Sequence, residues 1–168
     1  MKAKLIVEGK EFEVNINRSE LEELIKPEKK TGYERVKCKE RYCSIGINDA
    51  INITVEDNYY MDNILYDNAN YYSDKTIAEN NARANRLMRQ LRRFSVEHRE
   101  KEIDWNNSKE VKWDICFNYS EKDFFISCSY FVKDLFAIYF DSKETAELAI
   151  KTFHDELIWY FTEYKDSL

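Results

Sequence analysis

The chain has only three glycines and one proline in 168 residues. That excludes a glycine-rich phosphate loop and leaves few sharply bent positions for an active-site loop. Its two histidines, His98 and His154, stand in no triad context. The four cysteines, Cys38, Cys43, Cys116 and Cys128, include no CxxC pair, which argues against zinc and for reduced, partly buried thiols. HExxH and GxSxG are both missing. No apolar run approaches the length that spans a bilayer, and Met1–Glu8 reaches charge too early for a signal peptide. With no catalytic, metal-binding or cofactor-binding residue to assign, the sequence reads as a cytoplasmic non-enzyme that needs no cofactor and no membrane.

What is present is core material. Hydrophobic residues make up 43% of the chain and aromatic residues 15%, well above what a disordered segment carries. Fourteen asparagines take over turn positions, because asparagine tolerates left-handed backbone. One segment occurs twice. Tyr71-Tyr72-Ser73-Asp74-Lys75 with Ala78-Glu79 returns as Tyr139-Phe140-Asp141-Ser142-Lys143 with Ala146-Glu147. Each copy is an aromatic strand end, a polar cap and the start of an amphipathic helix, so the chain reads as two related strand-then-helix units.

Residues 2–16 alternate as a β-hairpin around Glu8-Gly9-Lys10. Ser19 with Glu22 forms a capping box for a short helix over Leu21, Leu24 and Ile25, and Pro27 ends it. Glu28–Gly32 is the best linker. The first unit offers strands at Glu34–Lys37, Arg41–Ile47 and Ala50–Val55, an irregular Tyr- and Asn-rich stretch, then a long helix capped by Ser73. The second offers Val111–Tyr119, Phe124–Tyr130 and a third strand through Phe136, Ile138 and Phe140. One five-turn helix follows from Asp141 or Ser142. The expected fold is therefore α+β: two related antiparallel β-meander-plus-helix units packed together, preceded by an N-terminal β-hairpin and short helix. The expected boundaries are 1–30, 31–101 and 102–168.

Charge is segregated. The net charge is −6, yet no Lys or Arg lies between Tyr42 and Asp74, where Asp49, Glu56, Asp57, Asp62, Asp67 and Asp74 stand with six tyrosines. Arg83, Arg86, Arg89, Arg92, Arg93 and Arg99 then face Glu97 alone. One reading is mutual neutralisation of the two segments. The other is a pair of recognition surfaces: an acidic one built from Asp49, Glu56, Asp57, Tyr59, Tyr60, Asp62, Tyr66 and Asp67, and a basic one that grips phosphates. No aromatic stacking signature adjoins the arginines in sequence. Trp159 falls off the last helix's apolar face, so it either inserts between the two units or anchors a partner. Asp104-Trp105-Asn106 is a compact loop cluster in which Trp105 plugs a joint.

The Lys2–Ile16 hairpin, Lys30-Thr31-Gly32-Tyr33-Glu34-Arg35-Val36, the repeated helix starts and Asp155–Phe161 resemble small phage and prophage proteins of Gram-positive bacteria. The resemblance implies an accessory gene of a mobile element acting in the bacterial host cytoplasm. It also implies, by context, an anti-CRISPR-like protein that occludes a host nuclease such as a Cas effector or its guide complex. The alternatives are a nucleic-acid-binding protein using Arg83–Arg99 and a structural phage protein whose paired units serve dimerisation. Monomer and homodimer both remain open.

Overall fold

The computed structural model describes residues 2–15, 17, 19 and 30–167, in two units, Met1–Thr31 and Gly32–Leu168. In the first, β1 (Lys2–Val7) pairs antiparallel with β2 (Lys10–Asn15). Glu8 and Gly9 both take positive φ, 49° and 77°, the pattern of a two-residue turn whose twist suits a hairpin. The short helix expected over Leu21–Ile25 lies outside the described residues.

The second unit is α+β, with two antiparallel two-stranded sheets each followed by helices. β3 (Arg41–Ile45) pairs with β4 (Ile51–Val55), and β5 (Lys112–Asn118) with β6 (Asp123–Ser129). The helices are α1 (Tyr60–Asp67), α2 (Lys75–His98), α3 (Lys143–Thr152) and α4 (His154–Thr162).

The repeated segment is a structural repeat, but neither half is a three-stranded meander. The third strand shrinks to one bridge, Cys43–Tyr72 in one half and Trp113–Phe140 in the other. Both bridges exchange two backbone hydrogen bonds, 2.8 and 2.9 Å in the first and 3.0 and 2.7 Å in the second. The chain then turns at once into a helix cap. Asp74, not Ser73, accepts from the Ile77 N–H, and Ser142 accepts from the Thr145 N–H. Ser73 instead donates to Glu34, 2.8 Å away. Behind the caps, Ala78 and Ala146 are fully buried, and Lys75–Glu79 and Lys143–Glu147 pair at i,i+4. Gly32 fits this corner because a Cβ there would meet Ile77 Cγ1 at 2.8 Å, and its φ is +93°.

Three further expectations are corrected. Glu34–Lys37 forms no strand. The Tyr- and Asn-rich stretch contains α1, whose third residue, Asp62, reaches back to the Tyr59 N–H at 2.9 Å and caps it. The expected five-turn helix breaks at Phe153 into α3 and α4. Phe153 turns edge-on to Phe94, 5.5 Å between ring centroids, while the Thr152 hydroxyl bonds back to the Leu148 carbonyl and loosens the last turn. The break brings Leu157 and Trp159 to the buried side.

α2 is the spine of the unit. At 24 residues it is about 36 Å long, enough to cross two cores. Ile77 and Ala78 pack with Cys43 and Tyr72 under the first sheet. Leu87, Leu91 and Phe94 pack with Phe140, Ala146, Ala149 and Leu157 in the second. The helix that follows the first sheet thus buries half its apolar face in the second half's core. β3 is buried at three successive residues, Tyr42, Cys43 and Ser44, so both faces of that strand are covered.

Candidate functional site

The acidic segment does not form a surface. Glu56 and Asp62 are 1% and 3% exposed, which corrects their assignment to a partner-binding face. Each carboxylate is saturated from inside. Glu56 accepts from Arg35 Nε and a terminal guanidinium nitrogen at 3.0 Å each, from the Tyr71 hydroxyl at 2.9 Å and from the Asn58 N–H at 2.8 Å. Asp62 accepts from the Tyr42 hydroxyl at 2.7 Å and from the N–H groups of Asp57 and Tyr59 at 3.0 and 2.9 Å. The Tyr42 and Tyr71 rings stack at 4.0 Å and 12° between the two acids, so the four side chains form one buried network. Of the others, Asp49 takes both contacts of Arg89 at 2.6 and 2.8 Å, Asp57 pairs with Lys39, and Asp74 caps α2. Among the described residues only Asp67 of the six acids has no such partner.

The network sets a pH window. The Arg35 guanidinium holds the Glu56 carboxyl below its ordinary range, and the Tyr42 hydroxyl does the same for Asp62. Burial, reinforced by Asp62, pushes the Tyr42 hydroxyl up to about 12; burial and Glu56 also raise that of Tyr71. Depressed carboxylates stabilise the fold above their unfolded values and lose that contribution as pH falls through the folded ones. Raised hydroxyls stabilise below the ordinary tyrosine value of 10.0 and lose it as pH rises. The melting temperature is therefore expected to hold a plateau between the ordinary carboxylate range and about pH 10. A thermal-melt series that rises through pH 10 would contradict this.

A groove of about 610 Å3 lies between β3–β4 and α1, lined by Tyr42, Ser44, Thr54, Tyr59, Met61 and Asp62. Its one buried carboxylate is already saturated. Tyr59, Tyr60 and Tyr66 do lie exposed, at 67%, 70% and 42%, so the aromatic members of the expected acidic face survive while its charge is largely spent.

The arginines separate by partner. Arg83 binds Glu156 through two contacts at 2.9 and 3.0 Å and lies 4.0 Å over the Trp159 ring. Arg83 therefore belongs to the seam between α2 and α4, at its half-exposed edge. Trp159 is buried, so of its two readings the inserted one fits and the partner anchor does not. Arg99 contacts Glu102 at 3.3 Å and Arg93 contacts Glu97 at 3.7 Å. Arg86 and Arg92 are exposed and have no ion pair among the described residues. With Arg89 and Arg93 they line the solvent side of α2.

Tertiary structure adds what the sequence around these arginines lacks. A groove of about 520 Å3 runs beside them, lined by Asn85, Arg89, Arg92, Phe136, Tyr160 and Tyr164. The Tyr160 and Tyr164 rings stack at 5.3 Å and 11°, and the Tyr164 hydroxyl donates to Asn81 at 3.1 Å. Phe136 is 80% exposed. The sequence pattern places it inside a strand and the tyrosines in a buried stripe, and Tyr160 and Tyr164 do stay half-buried. The one signal was tyrosine, rather than leucine, closing the stripe at 160 and 164.

Other reactive groups are quiet. Burial and the neighbouring Asp114 carboxylate push the Cys116 thiol up to about 11, and burial raises Cys43, so both stay protonated near neutral pH. Trp105 stands edge-on to Tyr139 at 4.8 Å, with the ammonium groups of Lys112 and Lys133 at 5.4 and 5.3 Å from its centroid. No cluster of three metal-ligating side chains occurs among the described residues. No helix among them is long and apolar enough to cross a membrane. Compared with protein-family models, curated proteins and solved structures, the chain matches none.

Proposed function

We propose that this chain is a non-catalytic binding protein whose working face is the arginine side of α2 and whose partner is nucleic acid. What carries the reading is the guanidinium of Arg92, without an ion pair among the described residues, beside the exposed Phe136 ring and the half-buried Tyr160 and Tyr164 in one groove, with Arg86 on the neighbouring face of the helix. Guanidinium forks match phosphate oxygens. The net charge of −6 sets the scale. With so few unpaired cations, binding is expected to be weak, with a dissociation constant on the order of 10–100 µM at near-physiological salt.

Replacing Arg86 and Arg92 together by alanine is expected to weaken binding about tenfold or more. The log–log salt slope should fall by about 0.7–0.9 per arginine. Fluorescence anisotropy across a salt series measures both. Binding indifferent to salt or to this double substitution overturns the proposal.

A second reading keeps the inhibitor of a nuclease-based host defence. It is supported by the exposed ring pair Tyr59 and Tyr60 with Met61 at the start of α1, a compact aromatic rim of the kind that anchors protein partners. The arginine double substitution separates the two, because inhibition through this rim survives it.

A further inference from the structure

Resting on the arginine-face reading, we infer that the groove between α2 and α4 takes single-stranded rather than duplex nucleic acid, with bases stacked on the exposed Phe136 and the half-buried Tyr160 and phosphates held by Arg92 in the groove and by Arg86 beyond it. A duplex keeps its base faces covered by neighbouring bases, so it offers an aromatic ring nothing to stack on. A single strand offers every face, and aromatic platforms flanked by arginine are the recurring answer to it.

The geometry suits that division of labour. Tyr160 and Tyr164 are parallel, 5.3 Å apart. The second is pinned by its hydroxyl to Asn81, which in turn donates to the Tyr33 hydroxyl and the Ile77 carbonyl, both at 2.9 Å. The platform is thus fixed before any ligand arrives, and little ordering cost remains for the protein. Phe136 shares the groove and is 80% exposed, with no ring contact among the described residues. Arg92 lines the groove, Arg86 stands outside it about 120° round the helix, and Arg89 is held by Asp49 at 2.6 Å.

Charge alone does not account for a useful interaction. Two unpaired arginines on a chain of net −6 release few counterions from a duplex, whereas a stacked base adds affinity that salt does not screen. Among the described residues the face carries no glycine-lined turn or helix presented end-on to read base edges, so weak dependence on base sequence follows.

The experiment is anisotropy with the full chain and three labelled probes of equal length: an oligothymidine strand, a duplex, and an abasic strand carrying the same phosphates. At about 50 mM salt the thymidine strand is expected to bind at least about tenfold tighter than either other probe. Phe136→Ala, at an exposed site, and Tyr160→Ala are each expected to remove about tenfold of that advantage. Tyr160→Phe, which keeps the ring, should retain it. Thermal melts confirm that each variant is folded. Equal affinity for the thymidine strand and the duplex, or an abasic strand bound as tightly as the thymidine one, overturns the single-strand assignment and leaves the arginine face standing. Failure of all three probes to bind overturns both.

Discussion

Glu56→Ala is expected to be the most damaging single substitution in the second unit, lowering folding stability by about 3–5 kcal/mol. The carboxylate is 1% exposed and accepts from Arg35, Tyr71 and the Asn58 N–H at once. Truncation leaves a part-buried guanidinium uncompensated, a buried hydroxyl without its acceptor and a backbone N–H without a partner. Each loss adds desolvation cost that no rearrangement of the stacked Tyr42–Tyr71 pair recovers. Chemical denaturation checks the value. A double-mutant cycle with Tyr71→Phe should show coupling, because the two groups share one network. A loss under about 1 kcal/mol would mean that the network is dispensable.

Lys112→Met should cost about 2–4 kcal/mol. Lys112 is fully buried, and its ammonium donates to three backbone carbonyls, of Asn107 at 2.8 Å, Glu110 at 2.9 Å and Tyr130 at 3.1 Å. Methionine keeps the stem's volume and removes the donors. The Asn107 carbonyl retains the Glu110 N–H at 3.2 Å. The other two are left without a replacement, offset in part by relief of the buried charge. The expected drop in melting temperature is roughly 4–16 °C for a chain of this size. Lys133→Met is the control. Its ammonium also lies over Trp105, but the residue is exposed, and the change should stay within about 0.5 kcal/mol. If the two variants melt together, the three-carbonyl cage has no energetic weight.

Tyr42, the neighbour of the Glu56 network, and Lys112 are equivalent in the fold without being equivalent in chemistry. Tyr42 and Lys112 each precede the residue that makes the bridge, Cys43 in one half and Trp113 in the other, and both are buried. In the first half a hydroxyl at that position donates to the Asp62 carboxylate and orders α1. In the second an ammonium gathers backbone carbonyls and fastens the loop before β5. The repeat preserved the backbone scheme while each copy found its own way to satisfy the polar atoms beside the bridge.

Two conclusions follow for charge. The acid-rich stretch is acidic because it needs internal acceptors: for Arg35, for two tyrosines, for the α1 cap and for Arg89. The recognition-surface reading fails because the partners lie outside the stretch, Arg35 before it and Arg89 after it, and the neutralisation reading holds for Asp49 and Arg89. The arginine run is only partly spent in the same way, and one of its members without an ion pair among the described residues, Arg92, lines the aromatic groove.

The amino-acid sequence by itself determined what depends on neighbours along the chain. The α+β class, the two copies of aromatic end, cap and helix, the four strands of the second unit and the amphipathic face of α2 all follow from local periodicity and capping chemistry. Tertiary structure decided everything that depends on residues distant in sequence. It made one helix serve two cores, turned Trp159 inward at the Phe153 break and buried Glu56 and Asp62 against Arg35 and Tyr42. It also carried Phe136, Tyr160 and Tyr164 to the side of Arg92. The physical reason is that an acid's role depends on which donor reaches it, and an aromatic ring's on which side of it water remains. Both are settled only when the elements pack.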